Sequence, residues 1–253
     1  MKVSIVTVCY NSASTLEDTI RSVAAQNYPD IEYLVIDGKS TDGTQDIIEK
    51  YIDRISVFVS EKDKGIYDAI NKGIALASGE VIAILNSDDM YAHEQVISRV
   101  VASMQENHSD ACYGNLVYVK RDDTSAVLRY WKSGNYSDGL FYKGWMPPHP
   151  AFFIKKWCYS SYGTFSLELR SSADYELMLR MLHRHRVKVS YVNEVLVKMR
   201  AGGTSNMSLK NRIRGNREDY RAWELNGLKP GRFTLIRKPL SKLLQYFLRP
   251  SGS

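Results

Sequence analysis

The sequence predicts an α/β fold: a mostly parallel sheet flanked by helices, with a small antiparallel section and a C-terminal helical extension. Three observations carry this. Short β-branched apolar runs alternate with segments of helical periodicity through the first third of the chain, on short connections. The run Val81-Ile82-Ala83-Ile84-Leu85 stops abruptly at Asn86-Ser87-Asp88-Asp89, as a buried strand delivering a polar turn to the sheet edge would. Finally, Asn11, Asp37 and Asp88 each follow a strand and precede a helix, on three different strands. In a doubly wound sheet those turns share one edge and can face one ligand.

Val3 to Val8 is the first strand, broken by Cys9-Tyr10-Asn11-Ser12. Ser14 and Glu17 have capping-box spacing, and Leu16, Ile20 and Val23 recur at helical spacing behind them. After the turn Tyr28-Pro29-Asp30, Ile31 to Ile36 is a second strand, followed by a helix carrying Ile47, Ile48, Tyr51 and Ile52. Ile55 to Val59 is a third strand. Gly65 to Ser78 is helical, with Ile66, Ile70 and Ile74 on one face, and leads into the central strand and a helix near His93. Asp110 to Lys120 and Val127 to Trp131 alternate as antiparallel strands do. Gly134 to Gly144 is rich in Gly, Tyr and Ser and reads as a mobile loop. Ser171-Ser172-Ala173-Asp174 opens a helix that buries Leu177, Met178, Met181 and Leu182. Val187 to Val192 and Leu196 to Met199 are late strands, and Gly202 to Ser205 a loop.

The 253 residues can bury a full core, and 44% hydrophobic with 25% charged content is that of a globular chain. No apolar run reaches the ~20 residues of a membrane span. Met1-Lys2 runs straight into a strand, unlike a signal peptide. Cys9, Cys112 and Cys158 are scattered without metal-ligand spacing and read as reduced cytoplasmic thiols. The net charge of +6 is uneven: residues 200–253 hold twelve Lys/Arg against three acids, leaving 22 basic against 25 acidic residues in the body. There is no G-x-G-x-x-G after the first strand and no G-x-x-x-x-G-K-[ST], which counts against dinucleotide oxidoreductases and P-loop NTPases.

Two adjacent carboxylates at a strand end repel unless a cation joins them. Mg²⁺ and Mn²⁺ take oxygen ligands, often carboxylates together with substrate phosphates. The alternative for Asp88 and Asp89 is a helix cap. The ordered motifs Thr7-Val8-Cys9-Tyr10-Asn11, Asp37-Gly38 with Ser40-Thr41-Asp42-Gly43-Thr44, Asp63-Lys64-Gly65-Ile66-Tyr67-Asp68-Ala69-Ile70-Asn71-Lys72-Gly73, Ala77-Ser78-Gly79-Glu80 and Leu85-Asn86-Ser87-Asp88-Asp89 decide between them. Taken in series, they resemble family two of the inverting glycosyltransferases, of the bacterial surface-polysaccharide (colanic-acid and capsule) type, over about the first 200 residues.

The resemblance implies a GT-A fold, a Rossmann-like sheet, over residues 1–205; the charge and periodicity of residues 206–253 predict a basic amphipathic helical extension. It implies a nucleotide-sugar donor (UDP- or GDP-sugar) bound by Thr7, Val8, Tyr10, Asn11, Asp37, Lys64, Asn86 and Asp88. Asp37 would receive the base, its carboxylate accepting a ring N–H; an Asx turn ahead of Gly38 is compatible with that role. Asp88 matches the metal position of the family's D-x-D signature, whose first position is here the uncharged Asn86. Mn²⁺ or Mg²⁺ would then sit on Asp88, with Asp89 as a further ligand or a partner supporting Asp88, and His149 as a third ligand, a phosphate contact or a purely structural residue between prolines. Asp174 matches the general base of inverting relatives; a first-turn helix-dipole role is its alternative. Trp145 is a candidate sugar stacker or a core residue. The Q-x-x-R-W motif of processive synthases is absent around Arg221-Ala222-Trp223, which favours transfer of one sugar per acceptor.

The acceptor class this implies is a glycan or a polyprenyl-diphosphate-linked sugar. Leu209 to Asn226, and then Leu240, Leu243, Leu244 and Phe247 beside Lys238, Lys242 and Arg249, have the composition of helices on an anionic membrane surface. That places the protein in the cytoplasm, peripheral to the inner membrane, with packing on the catalytic body or a subunit contact as alternatives for the tail. Two other functions compete: a nucleotide-sugar pyrophosphorylase, which would need a Gly-rich basic loop where Tyr10-Asn11-Ser12 stands, and a nucleic-acid-binding module on the tail, which leaves the strand-end clusters unexplained.

Overall fold

A computed structural model describes residues 1–202 and 209–232 together with Thr234, Lys238 and Gln245. The strands are β1 Val3–Cys9, β2 Ile31–Asp37, β3 Val57–Ser60, β4 Val81–Ile84, β5 Asp89–Tyr91, β6 Ala111–Val119, β7 Val127–Trp131, β8 Phe152–Lys155 and β9 Val189–Arg200. The helices are α1 Leu16–Ala24, α2 Thr44–Lys50, α3 Ile66–Leu76, α4 Val96–Glu106, α5 Lys156–Tyr162, α6 Ala173–Met178 and α7 Leu209–Leu225; α6 continues as a wider turn over Leu179–Arg184.

The strands form one sheet in the order β3-β2-β1-β4-β8-β6-β9-β5, with β7 hairpinned onto β6. Its first half is parallel: β1 lies between β2 and β4, with Val6 opposite both Leu34 and Ile84. β8 joins β4 antiparallel, and antiparallel pairs then alternate with the parallel β6–β9 pair. The expected mostly parallel sheet with an antiparallel section is therefore present. Because side chains alternate across a strand, fully buried β1 feeds two cores. Val6 and Val8 join Ile70 and Ile74 of α3 on one face; Val3 and Ile5 join Leu16 and Ile20 of α1 and Val100 of α4 on the other. Gly73 lets α3 lie directly on β1, since a Cβ there would stand 2.2 Å from Val6 Cγ1.

Several local expectations are corrected. Ser14 does not cap α1: Thr15 precedes the helix without a side-chain cap, and Glu17 turns outward to Lys50 (2.8 Å) and Tyr51 (2.7 Å). The two late strands are one, β9, whose polar centre Asn193-Glu194 is absorbed by register shifts against β6. Asp89 opens strand β5, and the following helix starts at Val96, so the carboxylate pair does not cap it. The Gly134–Gly144 segment is anchored, with Phe141 fully buried and Tyr113 Oη donating to the Gly134 carbonyl at 2.7 Å. All three cysteines are free and buried.

The C-terminal extension begins docked. Trp223 of α7 is fully buried and donates from Nε1 to Tyr175 Oη of α6 at 3.0 Å. Lys238 reaches back to the Asp219 carboxylate at 2.7 Å, above the Tyr175 ring. The segment Leu240, Leu243, Leu244 and Phe247, with Lys242 and Arg249, lies outside the described residues. Among those described, no helix is long and apolar enough to cross a membrane.

Candidate active site

The parallel strands β1, β2 and β4 end at one edge, and their loops interlock there. Asn11, in a left-handed conformation (φ 49°), accepts from the Thr41 N–H at 2.9 Å, and its own N–H donates to Ser40 Oγ at 2.9 Å. The Ser12 and Ser87 hydroxyls meet at 2.8 Å, tying the β1 loop to the carboxylate turn. Asp42 takes the Ala13 and Thr44 N–H groups, each at 3.1 Å, and closes the β2 loop on itself.

Expected nucleotide contacts divide by burial. Thr7 is fully buried, its Oγ1 accepting from Tyr33 Oη at 3.1 Å, and Val8 is core. Asp37 is also fully buried, and both of its oxygens are engaged. Ser40 donates from N–H and hydroxyl, Gln45 Nε2 at 3.0 Å and Ser60 Oγ at 2.6 Å. Burial pushes this carboxyl up, but the donors from Ser40, Ser60 and Gln45 outweigh it and hold its pKa below the ordinary value. Tyr10 and Lys64 are exposed. Tyr10, Gly38, Lys39, Lys62 and Asp63 line a cleft of about 340 Å³ beside them.

In the turn after β4, Asn86 donates one Nδ2 N–H to Asp89 Oδ2 at 3.0 Å, which fixes its side chain within the turn. Burial raises the Asp88 carboxyl, with Arg121 and Arg200 pulling partly back. Asp89 is fully enclosed beside the Asp88 charge and is pushed well above the ordinary range. Asp89 Oδ1 is buried without a hydrogen-bond partner. Arg200, only 4% exposed, braces this turn by donating to the carbonyls of Asp88 (3.1 Å) and Arg121 (3.3 Å) and by pairing with Asp18. Counted with the basic tail in the sequence, Arg200 is a buried support of the carboxylate turn instead.

These carboxylates fit a divalent cation on chemical grounds. They are oxygen donors, desolvated and mutually repelling, and one carries an orphaned buried oxygen. Mg²⁺ and Mn²⁺ are often held by one or two carboxylates completed by substrate phosphates. Among the described residues no three His, Cys, Asp or Glu side chains gather at metal-binding spacing, so Asp88, Asp89 and His149 do not make a closed three-ligand set. His149 sits instead in the turn His149–Ala151 before β8, edge-on to Phe165, with Asp174 as its charged neighbour. Burial lowers its pKa, which Asp174 only partly restores.

Asp174 occupies the first turn of α6, half-buried, its Oδ1 accepting the Tyr175 N–H at 2.8 Å. Neither serine caps this helix. Glu218 of α7 accepts the Ser171 and Ser172 N–H groups (2.7 and 3.1 Å), while the Tyr67 hydroxyl lies beside the backbone of Asp174 and Ala173. Tyr67 stacks on Phe165, whose backbone is clamped by Asn71 through two bonds of 2.9 Å. Sequence reasoning did not single out Tyr67 and Asn71, though both stand in the Asp63–Gly73 motif at helical spacing, four residues apart on α3. Trp145 is partly buried, packs against the core among Tyr113, Tyr136 and Phe141, and donates to the Ser133 carbonyl at 2.7 Å.

Residues 4–163 match the family described as Glycosyl transferase family 2. The chain belongs to that family. It is 29% identical over 208 residues, 80% of this chain and 78% of the relative, to a PGL/p-HBAD biosynthesis glycosyltransferase of Mycobacterium bovis. It is 37% identical over 108 residues, 42% of this chain and 43% of the relative, to a putative teichuronic acid biosynthesis glycosyltransferase of Bacillus subtilis. In fold it resembles S. aureus TarS 1–349 in complex with UDP-GlcNAc, with a TM-score of 0.69 and 19% identity over 89% of this chain and 65% of that one. It also resembles a Pyrobaculum calidifontis mannosyltransferase in complex with GDP-Man and Mn²⁺, with a TM-score of 0.65 and 19% identity over 96% and 69% of the two chains. The fold is of the GT-A type, and this family 2 chain is a glycosyltransferase whose relatives are named for bacterial glycan biosynthesis.

Proposed function

We propose that this glycosyltransferase moves one sugar, with inversion, from a nucleotide-diphosphate sugar to a hydroxyl of a glycan or polyprenyl-diphosphate-linked acceptor in bacterial polysaccharide biosynthesis. The observation that carries the reading is the Asn86–Asp89 turn: two desolvated carboxylates, one with an unpartnered oxygen, at the sheet edge where the β1 and β2 loops converge. Bound Mn²⁺ or Mg²⁺ would neutralise the diphosphate leaving group. Asp88 would hold it, and Asp89 would keep Asp88 and Asn86 in place.

Asp174 acts as the base. Its Oδ1 is turned onto the helix N-terminus, while Oδ2 accepts no hydrogen bond among the described residues. Oδ2 removes the acceptor proton as that oxygen bonds to the anomeric carbon and the bond to the diphosphate oxygen breaks. Residues 206–253 form an extension that docks on the body through α7 and presents its remaining basic residues to an anionic membrane on the cytoplasmic face.

Melting temperature read against a panel of nucleotides and nucleotide sugars, with and without Mn²⁺, tests this on the parent and Asp88→Asn. A ligand bound by the native state alone raises the melting point. The expected result is Mn²⁺-dependent stabilisation by one nucleotide class, lost in the variant. No response to any nucleotide overturns the proposal.

A further inference from the structure

We infer that the base of the donor is read by Asp63 and not by Asp37, and that it is a pyrimidine-2,4-dione, uracil or thymine. The inference rests on the nucleotide-sugar reading above and adds the base. Asp37 is fully buried and its two oxygens already receive Ser40, Gln45 and Ser60. To accept a base N–H it would have to release one of them. The neighbouring position is Gly38, and the volume above it is taken: a Cβ there would lie 2.6 Å from Asp63 Oδ2 and 3.3 Å from Tyr10 Cδ2. Asp63, arriving from the loop after β3, thus sets its carboxylate where a residue-38 side chain would have pointed.

That carboxylate is half committed. Oδ1 accepts the Gly65 N–H at 2.8 Å, which fixes its orientation. Oδ2 accepts no hydrogen bond among the described residues and faces the cleft of about 340 Å³ lined by Tyr10, Gly38, Lys39 and Lys62. The volume lies within the range of small-ligand sites. Tyr10, 64% exposed, offers a ring face on which a planar base can stack.

One available oxygen takes one N–H. Uracil and thymine present a single ring N–H between two carbonyls, and Lys39 and Lys62 line the same cleft, within whose reach a flexible ammonium can serve such a carbonyl. Guanine presents two adjacent donors and needs both carboxylate oxygens, one of which Gly65 occupies. Cytosine and adenine present an unprotonated ring nitrogen, whose lone pair would face the carboxylate.

Calorimetric titration of the full chain with UDP, dTDP, GDP and CDP in the presence of Mn²⁺ reads the selectivity. UDP or dTDP is expected to bind at least tenfold more tightly than GDP or CDP, and the comparison of those two tells which dione is preferred. Asp63→Asn supplies an amide N–H to the ring nitrogen of cytosine, so the ratio of dione to CDP affinity is expected to fall tenfold or more. GDP or CDP preferred by the parent, or an unchanged ratio in Asp63→Asn, overturns the inference while leaving the transferase reading intact. Binding of none of the four overturns both. The parent's ranking decides the matter even where the variant does not fold.

Discussion

Asn71→Ala tests whether α3 holds the loop that leads to the proposed base. In the parent, Asn71 Nδ2 donates to the Phe165 carbonyl and Oδ1 accepts the Phe165 N–H, both at 2.9 Å, across 94 positions of sequence. Phe165 is 3% exposed and touches Tyr67, Tyr159 and His149. Truncation removes two hydrogen bonds, each with a net worth of ~1 kcal/mol, and leaves a poorly hydrated N–H and C=O unmatched at ~1–3 kcal/mol apiece. Partial water entry offsets part of this, so the expected loss is about 2–4 kcal/mol. For a chain of this size that corresponds to a melting point lower by roughly 4–16 °C. The loop leads into Ser171 and Asp174, so turnover is expected to fall about tenfold or more while affinity for the donor nucleotide stays near parental. Calorimetric melting and single-turnover transfer read the two effects. A variant melting within a degree of the parent with unaltered turnover would show that aromatic packing alone holds the loop.

Three further perturbations address other links. Tyr67→Phe keeps the stack on Phe165 but removes the oxygen beside the backbone of Asp174 and Ala173; a tenfold loss in turnover with unchanged donor affinity is expected, and a purely structural tyrosine would show only a lower melting point. Gly73→Ala forces a methyl against Val6 Cγ1 and is expected to cost ~1–3 kcal/mol by denaturant melting; no change would mean that α3 shifts freely on β1. Glu32 is buried by sheet contacts, which alone would raise its pKa, but Ser4, Ser78 and Lys2 hold it at about 2. Its folded pKa lies below the unfolded one, so its contribution is full above the ordinary 4.5 and is lost as pH falls through about 2. Glu32→Gln should therefore flatten the acid limb of the stability curve by about 2 kcal/mol after solvent screening, and an unchanged limb between pH 5 and 2 would refute this.

The parallel half of the sheet was legible because its strands are short apolar runs, each ending in a polar turn. The two-residue alternation of β1 even sets which core each side chain enters. Strand β5 was not legible: three residues, Asp89-Met90-Tyr91, carry no period, and their partner lies 108 positions away at Val197 to Met199. The polar break Asn193-Glu194 likewise suggested two strands, because a register shift depends on the partner and not on local sequence. At the site, the carboxylate turn could be read from its position after a strand, whereas the burial of each polar residue could not. Asp37 and Asp63 are both acids in strand-end loops, and only the structure distinguishes the one closed by Ser40, Gln45 and Ser60 from the one with an oxygen facing a cleft.

The C-terminal extension illustrates the same limit with a functional consequence. Its charge suggested a surface for something else, but its first helix acts on the catalytic body. Glu218 accepts the N–H groups of Ser171 and Ser172 just ahead of Asp174, and Trp223 and Asn226 hold Tyr175 and Glu176 just after it. Lys238 closes on Asp219 and on the face of Tyr175. The segment bearing the proposed base is therefore gripped from α3 on one side, through Tyr67 and Asn71, and from α7 on the other. A displacement of α7 would act directly on the two backbone N–H groups that Glu218 holds, and so on the segment that carries the proposed base.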